Sequence, residues 1–217
     1  ETRVKIGIIA GMGAAAGAHF YGALIRECQR RGCASDFDFP EIFLHNIPSR
    51  ATTPKGVESY GTLRSEIGRA IQQMSRFEPD KIIIACNSAH KDISLFRDLT
   101  TAEIVSLPES ALKRCKGRKY GVLCSNSSRL DKVYPSSALY PGDADQVKIT
   151  SVIETAMRGH SPSEAAQSTL ILTAAVKSLT ARGAERVILG CTELPIFAPA
   201  HEAIIDAGLC AIEDMLG

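Results

Sequence analysis

The stretch Lys81-Ile82-Ile83-Ile84-Ala85-Cys86-Asn87 decides the fold, because the chain carries it a second time in altered form. Its counterpart, Arg186-Val187-Ile188-Leu189-Gly190-Cys191-Thr192, starts 105 residues later. Each begins with a basic residue, runs through apolar or small residues without a polar break, and ends in a cysteine and a polar turn. Such a run reads as a strand covered on both faces, the condition of a parallel sheet between helices. A second echo supports the first. Lys5-Ile6-Gly7-Ile8-Ile9-Ala10-Gly11 is answered 114 residues on by Lys119-Tyr120-Gly121-Val122-Leu123-Cys124-Ser125. Two echoes at similar separations imply two comparable α/β halves of about 100 residues each.

Between these strands the pattern changes to helical spacing. Helices are expected over about 15–31, 58–77, 88–97, from 107 through Lys113, and 163–182. Further strands are expected at Glu41–His45, Glu103–Ser106, Val147–Ile149 and in the second copies of each echo. The βα rhythm predicts an α/β protein of two pseudo-symmetric three-layer domains with mainly parallel sheets. The first domain is expected over residues 1–102 plus 205–217, the second over 103–204. Ligands of open α/β sheets bind beyond the carboxyl ends of strands. The active site is therefore expected in the cleft between the halves, where Cys86 and Cys191 fall.

Composition excludes several function classes. The chain has 217 residues, 45% of them apolar, which rules out a disordered chain. Lys+Arg is 25 and Asp+Glu is 24, so the net charge of +1 offers no footprint for nucleic acid or an anionic membrane. Tryptophan is absent and aromatics are few, so platforms for stacking bases are not expected. No apolar run approaches the roughly 18–20 residues of a spanning helix. The first residues lead straight into a strand-like run, so no signal peptide is expected. The seven cysteines form no Cys-x-x-Cys pair, which argues against a disulfide framework and a structural zinc site and for the cytoplasm. Gly11-Met12-Gly13 lacks the third glycine of a dinucleotide fingerprint, and no lysine stands in a recognisable Schiff-base context. No cofactor and no metal are expected.

A cysteine at a strand end, ahead of a helix, is where backbone N–H groups favour a thiolate. Cys86 precedes Asn87 and Ser88, so its pKa is expected to be lowered. Cys191 holds the matching place in the second half. Arg50 follows a strand, a proline and a small polar residue, where a guanidinium can grip a carboxylate at two points. His90, four residues past Cys86, either orients the thiolate or hydrogen-bonds to backbone. Glu193 either organises the Cys191 loop or forms a salt bridge.

The chain resembles the aspartate/glutamate racemase superfamily over essentially its whole length. The motifs that carry the resemblance are Gly11-Met12-Gly13, Asn46-Ile47-Pro48-Ser49-Arg50, Ala85-Cys86-Asn87-Ser88-Ala89-His90 and Gly190-Cys191-Thr192-Glu193-Leu194. A weaker one is Val122-Leu123-Cys124-Ser125-Asn126-Ser127-Ser128 leading to Tyr134. The resemblance implies cofactor-independent inversion at the α-carbon of an amino acid, most readily aspartate or glutamate, by two cysteines on opposite faces of the substrate. It implies that Cys191 acts on the L-enantiomer and Cys86 on the D-enantiomer. It also implies binding roles for Met12, Gly13, Arg50, Asn87, Ser88, Ser125, Ser128, Thr192 and Glu193, and a homodimer. Two-base inversion makes chemical sense: one group removes the α-proton while the other returns one to the opposite face. Without pyridoxal phosphate, fixed donors must stabilise the enolate-like charge.

Several positions depart from the family pattern. Ala14 stands where a proline is usual, Gly17 near an expected hydroxyl, and Ser49 in place of an aspartate. A lysine usual before the glycine ahead of the long helix is replaced in the segment Ala156-Met157-Arg158-Gly159, where either Arg158 is the substitute anchor or the anchor is missing. These departures leave other readings open. They are a racemase of another amino acid, a maleate isomerase-like relative, and a binding protein with a degenerate site. Decarboxylases of the superfamily keep a single cysteine and fit the pair less well.

Overall fold

The computed structural model describes residues 4–217. In chain order it contains β1 (Lys5–Ala10), α1 (Ala14–Arg30), β2 (Glu41–Asn46), the short strands β3 (Thr52–Thr53) and β4 (Gly56–Val57), α2 (Tyr60–Met74) and β5 (Lys81–Ile84). Then come α3 (Ile93–Arg97), β6 (Glu103–Val105), α4 (Leu107–Arg114), β7 (Tyr120–Cys124), α5 (Asn126–Leu130), α6 (Asp143–Arg158) and α7 (Pro162–Ala181). The chain closes with β8 (Arg186–Gly190), β9 (Ile204–Asp206) and α8 (Ala207–Leu216). Two parallel sheets result, in the orders β2-β1-β5-β6 and β7-β8-β9, with β3 and β4 as a separate antiparallel hairpin. The echoed strands lie side by side in each sheet. Ile9 of β1 stands opposite Ile84 of β5, and Cys124 of β7 opposite Gly190 of β8.

Side chains alternate across each strand, and here both faces are covered. Ile82 and Ile84 pack with Leu63, Ile67 and Ile71 of α2. Ile83 and Ala85 face the other way, into a core with Phe20 and Leu24 of α1, Ala111 of α4 and Ile212 of α8. That same core receives Val122 and Ile188 from the second sheet. Leu123, Val187 and Leu189 cover its far face together with Ile149 and Val152 of α6 and Leu172 and Val176 of α7. Each sheet is thus the middle of three layers, and the helices α1, α4 and α8 are common to both. Full burial of each large aliphatic side chain is worth about 1.5–3 kcal/mol. Sheet membership puts β6 with the first sheet and all of β9 with the second. The expected cuts at 102/103 and 204/205 fall just before the one strand and inside the other.

Helix ends follow the local chemistry. Ser161 and Glu164 form a reciprocal cap on α7, with Pro162 in its first turn. Asp206 caps α8 by accepting from Gly208 and Leu209 N–H. One expectation fails. Val147–Ile149 is not a strand but lies inside α6. A strand would point Val147 and Ile149 to the same side, whereas Ile149 is fully buried and Val147 is 70% exposed. Gln146, Ile149, Val152, Ile153 and Ala156 make the buried stripe at helical spacing. The helix expected over 88–97 begins instead as a 3-10 turn, Asn87–Asp92, before α3.

Candidate active site

A narrow cleft opens between the two halves, at the carboxyl ends of β5 and β8. Its wall is made by Met12 after β1, the hairpin residues Thr52, Thr53, Pro54 and Gly56, and Cys86, Asn87 and Ser88 after β5. Ser125 after β7, Ile153 and Met157 of α6, and Cys191, Thr192 and Glu193 after β8 complete it. Gly13 and Ser128 stand directly behind. Gly13 N–H donates to Glu193 Oε1 at 3.2 Å, and the Ser128 and Ser88 hydroxyls are 2.8 Å apart. The first turn is shaped by Gly11, whose φ of +105° places it where a Cβ would stand 1.9 Å from Ile47 O.

The two cysteines are held differently. The backbone N–H groups of Ser88 and Ala89 point to the Cys86 sulfur. Burial nevertheless dominates and pushes the Cys86 thiol up to about 12, with the Glu193 carboxylate adding to the rise. The expected lowering of its pKa is therefore overturned, because loss of water around the sulfur outweighs the N–H donors. The Cys191 thiol donates to Glu193 Oε2 at 3.0 Å. Burial, and then the adjacent carboxylate, raise its pKa well above the ordinary thiol value. Both groups are therefore held as thiols at neutral pH.

Polar contacts tie the halves together around them. Thr192 Oγ1 lies 3.4 Å from Ala85 O and 3.2 Å from Glu193 Oε2. Ser88 Oγ meets Ser125 Oγ at 3.1 Å. Tyr134, fully buried, donates its hydroxyl to Asn87 Oδ1 at 2.6 Å. That bond turns the Asn87 amide nitrogen free: Asn87 Nδ2 and Thr53 Oγ1, both buried on the cleft wall, have no hydrogen-bond partner among the described residues. Buried polar groups are usually satisfied. Both residues line the cleft, so these two neutral groups are suited to an anionic group of a ligand. His90 is resolved in favour of backbone contacts. Its Nδ1 donates to Cys86 O at 2.9 Å while Nε2 accepts from Leu107 N–H at 3.2 Å, and burial pushes its pKa down to about 4. A neutral imidazole thus fixes the cysteine backbone.

Two expected binding residues are not brought to the cleft. Arg50 is exposed on a different groove, beside His45, Thr62, Glu66 and Arg69. Arg158 is exposed and donates to Glu164 Oε1 at 2.5 Å and to Gly159 O at 3.2 Å. On a helix one residue is a rotation of about 100°, so the neighbour Met157 faces the cleft and Arg158 faces solvent. The hairpin Thr52–Val57 and the α6 residues Ile153 and Met157 were missed from the sequence. The apolar spacing of Ile153 and Met157, one turn apart, was the available signal. The hairpin closes tightly, since a Cβ on Gly56 would stand 2.1 Å from Ser127 Oγ. Among the described residues no group of three His, Cys, Asp or Glu side chains is placed to hold a metal ion, and no helix is long and apolar enough to cross a membrane.

A fold of two parallel sheets with a cysteine at matched strand ends defines a class, and comparison with known proteins agrees. The chain belongs to the Asp/Glu/Hydantoin racemase family, whose model matches residues 9–215. It is similar to the broad specificity amino-acid racemase RacX of Bacillus subtilis (strain 168), 24% identical over 109 residues that span 50% of this chain and 48% of that protein. The chain thus matches about half the length of this curated relative. Its fold is similar to that of an aspartate racemase homologue from Pyrococcus horikoshii OT3, with a TM-score of 0.76 and 18% identity over 98% of this chain and 97% of that one. The aspartate racemase of Picrophilus torridus gives a TM-score of 0.76 and 19% identity, covering 98% of this chain and 94% of that chain.

Proposed function

We propose that this protein is a cofactor-independent amino-acid racemase in which Cys86 and Cys191 serve opposite faces of the α-carbon. The observation that carries the reading is the convergence of the two thiols, from echoed strand ends, on one cleft that also holds a carboxylate bonded to one of them. Family membership and the likeness to a broad specificity amino-acid racemase support it.

The proton inventory closes. Starting from the L-enantiomer, the Cys191 proton passes to Glu193, leaving a thiolate that removes the α-proton. The Cys86 thiol returns a proton from the other face and becomes the thiolate. The reverse reaction starts from that state, and loss of the Glu193 proton to solvent with uptake of one at Cys86 restores the dithiol and the carboxylate for the next L-enantiomer. The substrate ammonium offsets the negative charge that the buried thiolate introduces, which lowers the cost of forming it. Asn87 Nδ2, Thr53 Oγ1 and the Ser88 and Thr192 hydroxyls hold the α-carboxylate, whose charge grows as the enolate-like state develops. Tyr134 is a positioning residue that fixes the Asn87 amide.

The test is incorporation of solvent deuterium at Cα, followed by mass spectrometry, together with loss of optical rotation in an enantiopure amino acid. Both should occur with the purified protein after dialysis against a chelator. Absence of exchange with every proteinogenic amino acid would sink the reading.

A further inference from the structure

We propose that the side-chain subsite of this cleft takes an uncharged amino-acid side chain and disfavours aspartate and glutamate, an inference that rests on the racemase reading and narrows it. The charge inventory of the wall carries the argument. Any amino acid brings an ammonium and a carboxylate on its α-carbon. Glu193 is the one charged side chain on the cleft wall among the described residues, and it complements the ammonium. The neutral donors Asn87 Nδ2 and Thr53 Oγ1 complement the carboxylate. A zwitterion with an uncharged side chain therefore leaves the charge of the cleft unchanged. An acidic substrate adds a second carboxylate, and among the described residues no Lys, Arg or His lines the cleft to meet it. Burying that carboxylate near Glu193 sets like charges together where water cannot screen them.

The chemistry of the wall points the same way. Ile153 and Met157 lie one turn apart on α6 and present their side chains to the cleft. Met157 also packs on the turn after β1. Its Cγ lies 3.4 Å and its Cε 3.6 Å from where a Cβ on Gly13 would stand. The cations nearest in sequence face elsewhere. Arg158 is bonded to Glu164, and Lys55, at the hairpin tip, lines a separate groove with Arg129 and Asp143. An apolar wall of flexible Met and Ile side chains suits an aliphatic or thioether side chain better than a carboxylate.

The test is a panel of α-deuterium exchange rates for alanine, methionine, leucine, aspartate, glutamate and lysine. A binding measurement goes with it: the slowing of Cys86 and Cys191 alkylation by each amino acid. The best uncharged substrate is expected to exceed both acidic ones at least tenfold in kcat/KM and to protect the thiols at lower concentration. Met157→Lys, checked for fold by circular dichroism, is expected to raise the aspartate-to-methionine ratio at least tenfold. A charged amino acid turned over faster than every uncharged one overturns the proposal. So does an aspartate-to-methionine ratio that a folded Met157→Lys leaves unmoved. The two readings fail separately. Protection by uncharged amino acids without α-exchange removes the racemase reading and keeps the subsite, whereas exchange led by aspartate or glutamate does the reverse.

Discussion

The loop after β5 and the loop after β8 begin alike and differ in what they add beside their cysteines. After Cys86 the chain folds into a 3-10 turn that aims the Ser88 and Ala89 N–H groups at the sulfur. After Cys191 it turns so that the Glu193 carboxylate accepts the thiol proton. Backbone N–H groups stabilise a thiolate without titrating. A carboxylate repels a thiolate but provides somewhere for its proton to go. Two groups that stand at equivalent places in an internal echo are therefore not equivalent as bases. Both receive backbone N–H groups, from Ser88 and Ala89 at Cys86 and from Glu193 at Cys191, but Cys191 alone also has a hydrogen-bonded proton acceptor. Under the proposed mechanism the difference assigns the start of the cycle from the resting dithiol state to Cys191.

The strongest way to break this comparison is to delete each sulfur in turn. Cys86→Ala and Cys191→Ala should each lower racemisation by at least about 10⁴-fold, because neither half-reaction has a substitute base. Each variant should retain α-deuterium exchange on one enantiomer only, and the two variants should retain opposite enantiomers. Activity within tenfold of the parent in either variant would refute a two-base site.

Glu193→Gln sharpens the contrast, with an expected loss of about 10²-fold in kcat. Enantiomers have an equilibrium constant of one, so the ratio of kcat/KM in the two directions cannot change; the asymmetry must show in kcat and KM separately. Two readouts should move in opposite directions. Racemisation slows because Cys191 loses its proton acceptor. Alkylation of Cys191 at fixed pH quickens because the repelling charge is gone. Both falling together would reduce Glu193 to a structural role. Cys86 supplies the companion measurement. Burial holds its pKa near 12, so its thiolate fraction should rise tenfold for each pH unit through the mildly alkaline range. A plateau in its alkylation rate above pH 8 would mean the thiol is not raised.

A smaller effect is expected at Tyr134→Phe. The change leaves the buried Asn87 Oδ1 without its 2.6 Å donor, at a cost of about 1–3 kcal/mol in stability. It also frees the Asn87 amide to turn, which should raise KM more than it lowers kcat. Chemical denaturation and steady-state kinetics on the same preparation separate the two consequences.

The parts of this molecule that were legible in the sequence are those written in continuous runs. Strands such as Lys81–Ile84 and Arg186–Gly190 announce themselves because burial on both faces forces every position after the leading basic residue to be apolar or small. The cysteines at their ends were legible for the same reason. Short elements were not. β9 is three residues, and β3 and β4 are two each, too brief for any periodicity. The Val147–Ile149 error arose because two β-branched residues flanking Lys148 look alike in a short strand and in an amphipathic helix. The sign of the Cys86 shift was illegible because it depends on how much protein covers the sulfur, whereas the donors that lower it follow from the local turn. Helix phase mattered most at the site. A one-residue difference decided whether Met157 or Arg158 faces the cleft, and the local signal that favours Met157 is its apolar spacing one turn after Ile153.

Arg158→Ala is the weakest perturbation and tests that phase directly. The side chain is 53% exposed and its partner Glu164 is 40% exposed, so the ion pair is screened by water and contributes little to stability. Glu164 keeps its other partners, the Ser161 N–H at 2.8 Å and the Ser161 hydroxyl at 2.9 Å, so the cap of α7 survives the substitution. Thermal stability should change little, and kcat/KM for aspartate and for methionine should each stay within about twofold of the parent. If Arg158 instead turned inward to hold a substrate carboxylate, the loss would fall on aspartate alone and reach about tenfold or more, the usual scale for a lost charge-assisted contact. Equal, small changes for both substrates would place the guanidinium outside the cleft in solution as well. They would leave Met157, with Ile153, as the α6 residues that meet the side chain.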